Sequence, residues 1–365
     1  MSVHIFLLMY ICLVAVPIFM MKRLTYDLKK RLYVILAFIP MVFIAALRKE
    51  TVGLDTLVYK NAYYAINGST NSWEERNWEK GYVVLNKIVG FISNNNAQVF
   101  FGVVSCIILI GCGIFIIENS EDINTFLPVF LFVTLNNYFT SMVSLRQYCA
   151  LAIGINSYTI LKKDNSIKGY IKSLILIALA LSFHNSAFVL LLVPALFVLK
   201  KIHRKFVVVT LLLGVFAYQF FNSIMNLLFK VFTGFARYTV NGNVKFEGVQ
   251  LGKVYIVLLL VKIIIAIWVF CLNPDDKRNR ELYILLVLNV VSVIISFLTM
   301  RVALVWRLGY YFDIMLILLL PKIIGRIRGI GILPHIVVLF AGVVYFIYLC
   351  YVNTAGCIPY LFYWQ

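Results

Sequence analysis

An all-α, polytopic membrane protein is what this sequence predicts, and three observations carry that reading. Hydrophobic residues make up 62% of the 365 and charged residues 13%, with a mean hydropathy of +0.94, far to the apolar side of a soluble domain. Apolar runs of membrane-crossing or nearly membrane-crossing length recur along the whole chain. Between these runs, loops dense in Lys and Arg alternate with loops that are not.

Taken in order, the apolar runs fall near 3–21, 32–47, 97–117, 126–142, 145–161, 170–183, 186–199, 206–222, 253–272, 282–299, 308–320 and 332–352. That makes about twelve spans in one integral membrane domain over 1–365. The first has no basic residues ahead of it and no small-x-small cleavage site, and it runs into "KRLTYDLKKR" at 22–31. It is therefore expected to persist as a span instead of being cleaved as a secretory signal. The runs at 170–183, 186–199 and 308–320 are too short to cross upright, which predicts tilted or broken helices.

With 22–31 placed in the cytoplasm and the spans alternating, "KKDNSIKGYIK", "KKIHRK", "DDKRNR" and "PKIIGRIR" also fall inside. Of 33 Lys and Arg, 19 are then inside, Lys262 lies mid-span and 33 − 19 − 1 = 13 are outside. The inside loops are short, so positive charge is densest there, as insertion requires. Both termini come out external. The acidic loop "ENSEDIN" (118–124) bears little on orientation.

Two external loops are sizeable, at 48–96 and 223–252. The first holds "GYVVLNKIVGFI" (81–92), in which Val84, Leu85, Ile88, Val89, Phe91 and Ile92 share one side of a helical wheel and Asn86, Lys87 and Gly90 the other. This pattern predicts an interfacial helix on the outer leaflet. The second carries a turn signal, "NGN" at 241–243.

The formal charge of +18 sits where insertion explains it, so it does not imply nucleic acid. There is no phosphate loop, GxGxxG, HExxH, GxSxG or DxD pair, and the acidic doublets are Glu74–Glu75 and Asp275–Asp276. The residues usual for nucleotide use, zinc hydrolysis and metal-dependent nucleotide-sugar transfer are thus missing. None of the seven cysteines forms a CxxC pair, and they read as small buried hydrophobes; a Cys350–Cys357 bridge has no support.

External cations abutting spans need another explanation. They gather at Arg48 after the second span, Arg146 at the head of the fifth, Arg301 and Arg307 in "MRVALVWRLGYYFD", and His184 in "LALSFHNSAFVLL". A lone Arg48 could simply snorkel to headgroups, and His184 could be a satisfied core histidine. Lys262 and Asp313, both within spans, are expected to pair with each other. Arg146 is harder to dismiss. Gln147, Ala150, Gly154 and Ser157 lie within about 100° of it on the wheel, a small polar stripe that should face protein and aim the guanidinium into the bundle. Guanidiniums grip phosphate oxygens bidentately and stay charged. Asp55, Glu79, Tyr59, Tyr63, Tyr64, Trp73, Trp78 and Tyr82 lie close by in sequence to Arg48, carboxylates and aromatics of the kind that bind sugars. An anion plus a polyol is the ligand this external mouth suits.

At this point the motifs resemble a family. "LRKETVGLDTLVYKNAY", "WEKGYVVLNKIV", "SLRQYCALAI", "FHNSAFVLL" and "WRLGYYFDIMLILLLP" are similar, in order over about 45 to 320, to segments of EpsG/Wzy-type polysaccharide polymerases. Leu54 stands where a Thr is common before the Asp, and Asn185 stands where Lys is frequent. The resemblance implies a GT-C-like, metal-independent membrane glycosyltransferase of the bacterial cytoplasmic membrane that needs no cofactor. It would work at the outer face, moving a growing glycan from undecaprenyl pyrophosphate onto the next lipid-linked repeat unit. Its partners would be those lipid-linked glycans, membrane lipid and a chain-length regulator.

In that frame Arg146, Arg301 and Arg307, with Arg48 in support, stabilise the departing pyrophosphate. His184 or Asp55 is the base. Tyr59, Glu79 and Tyr311 hold sugar hydroxyls, or Glu79 braces an arginine. The rival readings are a flippase for lipid-linked sugars, a membrane O-acyltransferase and a structural subunit. A transporter would more often show inverted repeats and mid-membrane charges, whereas here the unusual charges gather at one face.

Overall fold

The computed structural model describes residues 2–68, 72–120, 125–199, 202, 204–224, 239–240, 243–244, 253–271, 280–302, 305–327 and 331–365. It is helical almost throughout, and the chain divides into two compact units: Met1–Ala195 with Ile324–Gln365, and Leu196–Ile323. Of the external loop at 223–252, only 223–224, 239–240 and 243–244 lie within the described residues. Thr239–Val240 (β1) and Asn243–Val244 (β2) pair there antiparallel, and the expected turn between them lies outside the described residues.

In the first unit, α1 (Ser2–Met20) and α2 (Tyr26–Ala46) are followed by three helices within residues 48–96: α3 (Thr56–Gly68), α4 (Trp73–Asn77) and α5 (Lys80–Ser93). Next comes α6 (Ala97–Asn119), started by Asn96, whose side chain accepts from the backbone N–H groups of Gln98 and Val99. The next two apolar runs are each broken in two. The first gives α7 (Phe126–Thr134) and α8 (Asn137–Val143), bent by 48° at Asn136, which takes a left-handed φ of 66°. The second gives α9 (Leu145–Gly154) and α10 (Asn156–Lys163), divided at Ile155. Then follow α11 (Ile167–Phe183), a 3-10 stretch (Asn185–Leu191) and α12 (Leu192–Val198). After the second unit the chain returns to close this one with α18 (Leu333–Val352).

The small stripe behind Arg146 faces protein as expected. Gln147 is 2% exposed, Ala150 and Ser157 are 0% exposed, and Gly154 is buried. At one end of the unit, Glu118 pairs with Arg31 at 3.4 Å and with Lys163. The start of α2 and the ends of α6 and α10 are thereby tied together.

The second unit comprises α13 (Arg204–Gln219), α14 (Lys253–Phe270), α15 (Arg280–Leu298), α16 (Trp306–Asp313) and most of α17 (Leu316–Ile324). The middle of α15 is buried all round, from Leu282 to Val290, so it is the centre of this unit. Lys262 and Asp313 pair as expected, at 2.5 Å, with Ser292 bonded to both. Removing one member of such a buried network would leave the others without one of their partners.

Four helices are long and apolar enough to cross a membrane (Val3–Met20, Ala97–Asn119, Arg280–Leu298, Leu333–Val352), or five if the bent α7–α8 pair counts as one span. Against the expected twelve or so spans, some of them broken, the described residues thus present four or five by length and composition, with shorter apolar helices beside them. The physical reason lies in residues such as Asn136, and in short apolar stretches that end on polar ones. The helix expected at 81–92 is present as α5, with Val84, Ile88, Phe91 and Ile92 exposed at 54%, 51%, 91% and 77%. Val89 departs from the expected outward row and is buried, along with Asn86 and Gly90. Asn86 spends its amide N–H on the carbonyl of Tyr82, which lets it lie inside.

Candidate active site

Construction of the site begins at the turn before α3. Gly53 has a φ of +90°, which a side chain would strain; its N–H donates to Gly356 and its carbonyl accepts from Thr56. This turn places half-buried Asp55 just before α3, whose first turn is closed by the Tyr59 N–H to the Asp55 carbonyl at 3.0 Å. Four residues apart, Asp55 and Tyr59 share a face of that helix. Among the described residues the Asp55 carboxylate makes no hydrogen bond or ion pair.

Glu79 stands at the N-terminus of α5 and joins two distant segments. One oxygen accepts from Arg146 Nη1 at 2.6 Å and the other from the backbone N–H of Asn185 at 3.1 Å. The close approach of α5 to the end of α11 depends on Gly81, because a Cβ there would overlap Ser182. The Arg146 guanidinium lies 4.2 Å from the centroid of Trp78 and is hydrogen-bonded by Tyr59. Trp78, Tyr59 and Tyr82 pack ring against ring around it. Two buried polar atoms here have no partner among the described residues, Arg146 Nε and Tyr82 Oη. A buried N–H left without a partner costs free energy, which the cation's other contacts must offset.

His184 follows α11 and caps the 3-10 stretch. Its Nδ1 accepts from the Ser186 N–H at 3.2 Å and lies 2.6 Å from Ser186 Oγ. An imidazole accepting at Nδ1 carries its hydrogen at Nε2 when neutral, so it offers a donor there.

Arg48, expected either to support the pyrophosphate or to snorkel to headgroups, lies inside the first unit as a brace. It is 0% exposed, and its guanidinium donates to Thr56 Oγ1 at 3.1 Å, to the Met142 carbonyl at 3.4 Å and to the Ala45 carbonyl, with the Phe101 ring 4.4 Å away. Snorkelling would have required an open path to headgroups. Tyr360 Oη and the backbone of 361–363 bind the end of α2 and its following residues, and close that path. Arg48→Ala is expected to cost about 3 kcal/mol of stability by leaving several buried acceptors unpaired. The measurement is thermal unfolding in detergent, with activity falling only as far as folded protein does.

Of the other expected site residues, Arg301, Arg307 and Tyr311 belong to the second unit. Arg301 is exposed with its guanidinium 4.5 Å from the Tyr218 ring, and Arg307 is exposed. Tyr311 is 0% exposed and is corrected from a sugar contact to a core residue of α16. Within the first unit, the expected arginine cluster thus reduces to Arg146 with Arg48 behind it.

A family model, the EpsG family, matches residues 31–362. This chain belongs to the EpsG family. Membership marks it as a polysaccharide-polymerase-like membrane protein, in keeping with its apolar helices. No curated protein and no solved structure matches the chain. The EpsG match covers every segment that meets at Glu79. Sequence reasoning missed two contributors at this EpsG site. Asn185 supplies a backbone N–H, which no side-chain pattern signals, and Thr56 receives Arg48 from within the "DT" motif.

Proposed function

We propose that this EpsG-family protein is a metal-independent glycosyltransferase. It would polymerise undecaprenyl-pyrophosphate-linked repeat units into long-chain polysaccharide at the outer face of the bacterial cytoplasmic membrane. The observation that carries the reading is the Glu79 bridge, which gathers the "WEKGY", "LRQ" and "HNS" segments around one half-buried guanidinium. Arg146 holds the pyrophosphate of the donor and stabilises the charge that develops as the glycosidic oxygen leaves. Glu79 orients Arg146 through Nη1, and the phosphate would meet the part of the side chain that stays open, which is 21% exposed. Trp78 and Tyr59 give the sugar an aromatic wall and a hydroxyl.

The proposal assigns the base to Asp55 and a donor role to His184. What supports this division is the state of each group: the Asp55 carboxylate has no described partner, while His184 Nδ1 is already used as a cap. Asp55 takes the proton of the acceptor hydroxyl as its oxygen attacks the anomeric carbon, and the bond to the pyrophosphate oxygen breaks. A cationic site can take the charge of the leaving group by itself, which supports chemistry without a metal. The proposal rests on the first unit, and Arg301 and Arg307 carry no part of it.

Purified protein mixed with lipid-linked repeat units in detergent is expected to lengthen glycans with no sealed membrane present, and to do so in EDTA. A protein that moves lipid-linked sugars across bilayers but forms no linkage in detergent is a flippase, and that result would overturn the proposal. Activity lost in EDTA and restored by Mn²⁺ would make it a metal enzyme.

A further inference from the structure

Away from the Arg146 cluster, the first unit holds a partly open cavity of about 570 Å³, within the usual range for small-ligand sites. Its floor is formed by the turn from α5 into α6 and its sides by α3, the residues after α2 and Tyr363. The lining is unusual for a membrane protein in being polar. Asn94, Asn96 and Gln98 present amides, while Tyr64 and Tyr363, exposed at 44% and 51%, present phenol rings. Gln98 donates its amide N–H to the Arg48 carbonyl at 3.4 Å, and its Oε1 is buried with no partner among the described residues.

Three charges line the cavity, two cations against one carboxylate, and Glu50 is hydrogen-bonded to one of the cations while the other acts on it from farther off. Lys60 pairs with Glu50 at 2.5 Å, and this hydrogen bond holds the Glu50 carboxyl below the usual carboxylate range. The Lys49 ammonium has no carboxylate within ion-pair distance among the described residues. Amides and flat aromatic rings suit a ligand with many hydroxyls. One free ammonium suits a ligand of low charge, and a phosphate would want more donors or a guanidinium fork. Helix α3 connects this cavity to the candidate active site. Tyr59 bonds the arginine, whereas Lys60 and Tyr64, one step round the helix, line the cavity. Along the axis Asp55 and Tyr64 are about 13 Å apart.

We infer that this cavity is a glycan-holding subsite that binds a saccharide segment bearing a carboxylate, with the carboxylate on Lys49 and the sugar rings against Tyr363 and Tyr64. The inference deepens the polymerase reading and rests on it: the site would retain the polysaccharide between additions, which sets chain length and leaves the single transfer step to Arg146 and Asp55.

The test uses the full-length protein in detergent with two probes, trigalacturonic acid and neutral galactotriose, and separately with lipid-linked repeat units. Wild type is expected to bind the acidic trisaccharide more tightly than the neutral one. Lys49→Gln should weaken the acidic probe about tenfold and erase the preference. Tyr363→Ala should weaken both probes about tenfold, and Arg146→Ala should change neither. In the extension assay, Lys49→Gln and Tyr363→Ala should give short products while forming the first linkage within about twofold of the wild-type rate. Tyr363 reaches Leu47 through its backbone, so the alanine leaves that bond in place. The inference is overturned if neither trisaccharide binds saturably, if Lys49→Gln binds like wild type, if inorganic phosphate competes as well as the trisaccharides, or if both variants keep wild-type chain lengths. Should wild type form no linkage at all, the polymerase reading falls, and the binding measurements still decide the cavity.

Discussion

Arg146→Ala is expected to reduce glycan extension by at least about a hundredfold while the protein inserts and folds normally. The magnitude follows from removing one preorganised donor to a developing oxyanion, roughly 3 kcal/mol of transition-state stabilisation. The half-buried setting should place it at the upper end, because Glu79 and Tyr59 already hold the guanidinium and little reorganisation remains to be done in the reaction. Arg146→Lys keeps the charge but cannot reach Glu79 and a diphosphate with one planar fork, so it should recover only a small part of the activity. Initial rates of linkage formation, measured with lipid-linked repeat units at saturating concentration, distinguish this from weakened binding. Wild-type rates in both variants would show that the pyrophosphate is held elsewhere.

Asp55→Asn is expected to lower the rate by roughly a hundredfold to ten-thousandfold, the span of a lost general base. The comparison that gives this its meaning is His184→Asn. Asparagine can still cap the 3-10 stretch through its side-chain oxygen, so a histidine that caps and donates should be replaced at a loss of about tenfold or less. If His184→Asn falls as far as Asp55→Asn is expected to, while Asp55→Asn retains activity, the two roles are reversed. Circular dichroism and detergent stability of both variants separate loss of chemistry from loss of fold.

Much of the fold could be read from the chain because apolar segments and short basic loops obey strong rules. The long runs that became α1, α6, α15 and α18 are cases where hydropathy alone decides. The polar stripe on α9 was legible for the same reason, as was the Lys262–Asp313 pair, since an isolated charge in a span needs a partner. The breaks at Asn136 and Ile155 were not legible residue by residue, because a run of apolar side chains looks the same whether or not its helix bends.

At the candidate site, chain order already pointed to Arg146 and Glu79 and left open whether Glu79 would meet sugar or brace an arginine; its carboxylate is bonded to Arg146 and to the Asn185 N–H. Arg48 was beyond reach. A cation after a span looks the same whether it turns to the surface or inward, and the backbone that covers it lies more than 300 residues away in sequence, at Leu361 and Tyr363. Tyr311 misled for a related reason, since a tyrosine in an aromatic motif has no mark of burial.

The three anchors of Arg48 also bear on how relatives of this protein could be recombined. One side chain fastens the end of α2, the turn that launches Asp55 and the approach to Arg146. A chimaera that imports the first external loop from a homologue, in order to alter which sugars are joined, would break that fastening unless residues 45–59 and 138–148 travelled together. The unit of exchange for redesign is therefore this discontinuous pair of segments.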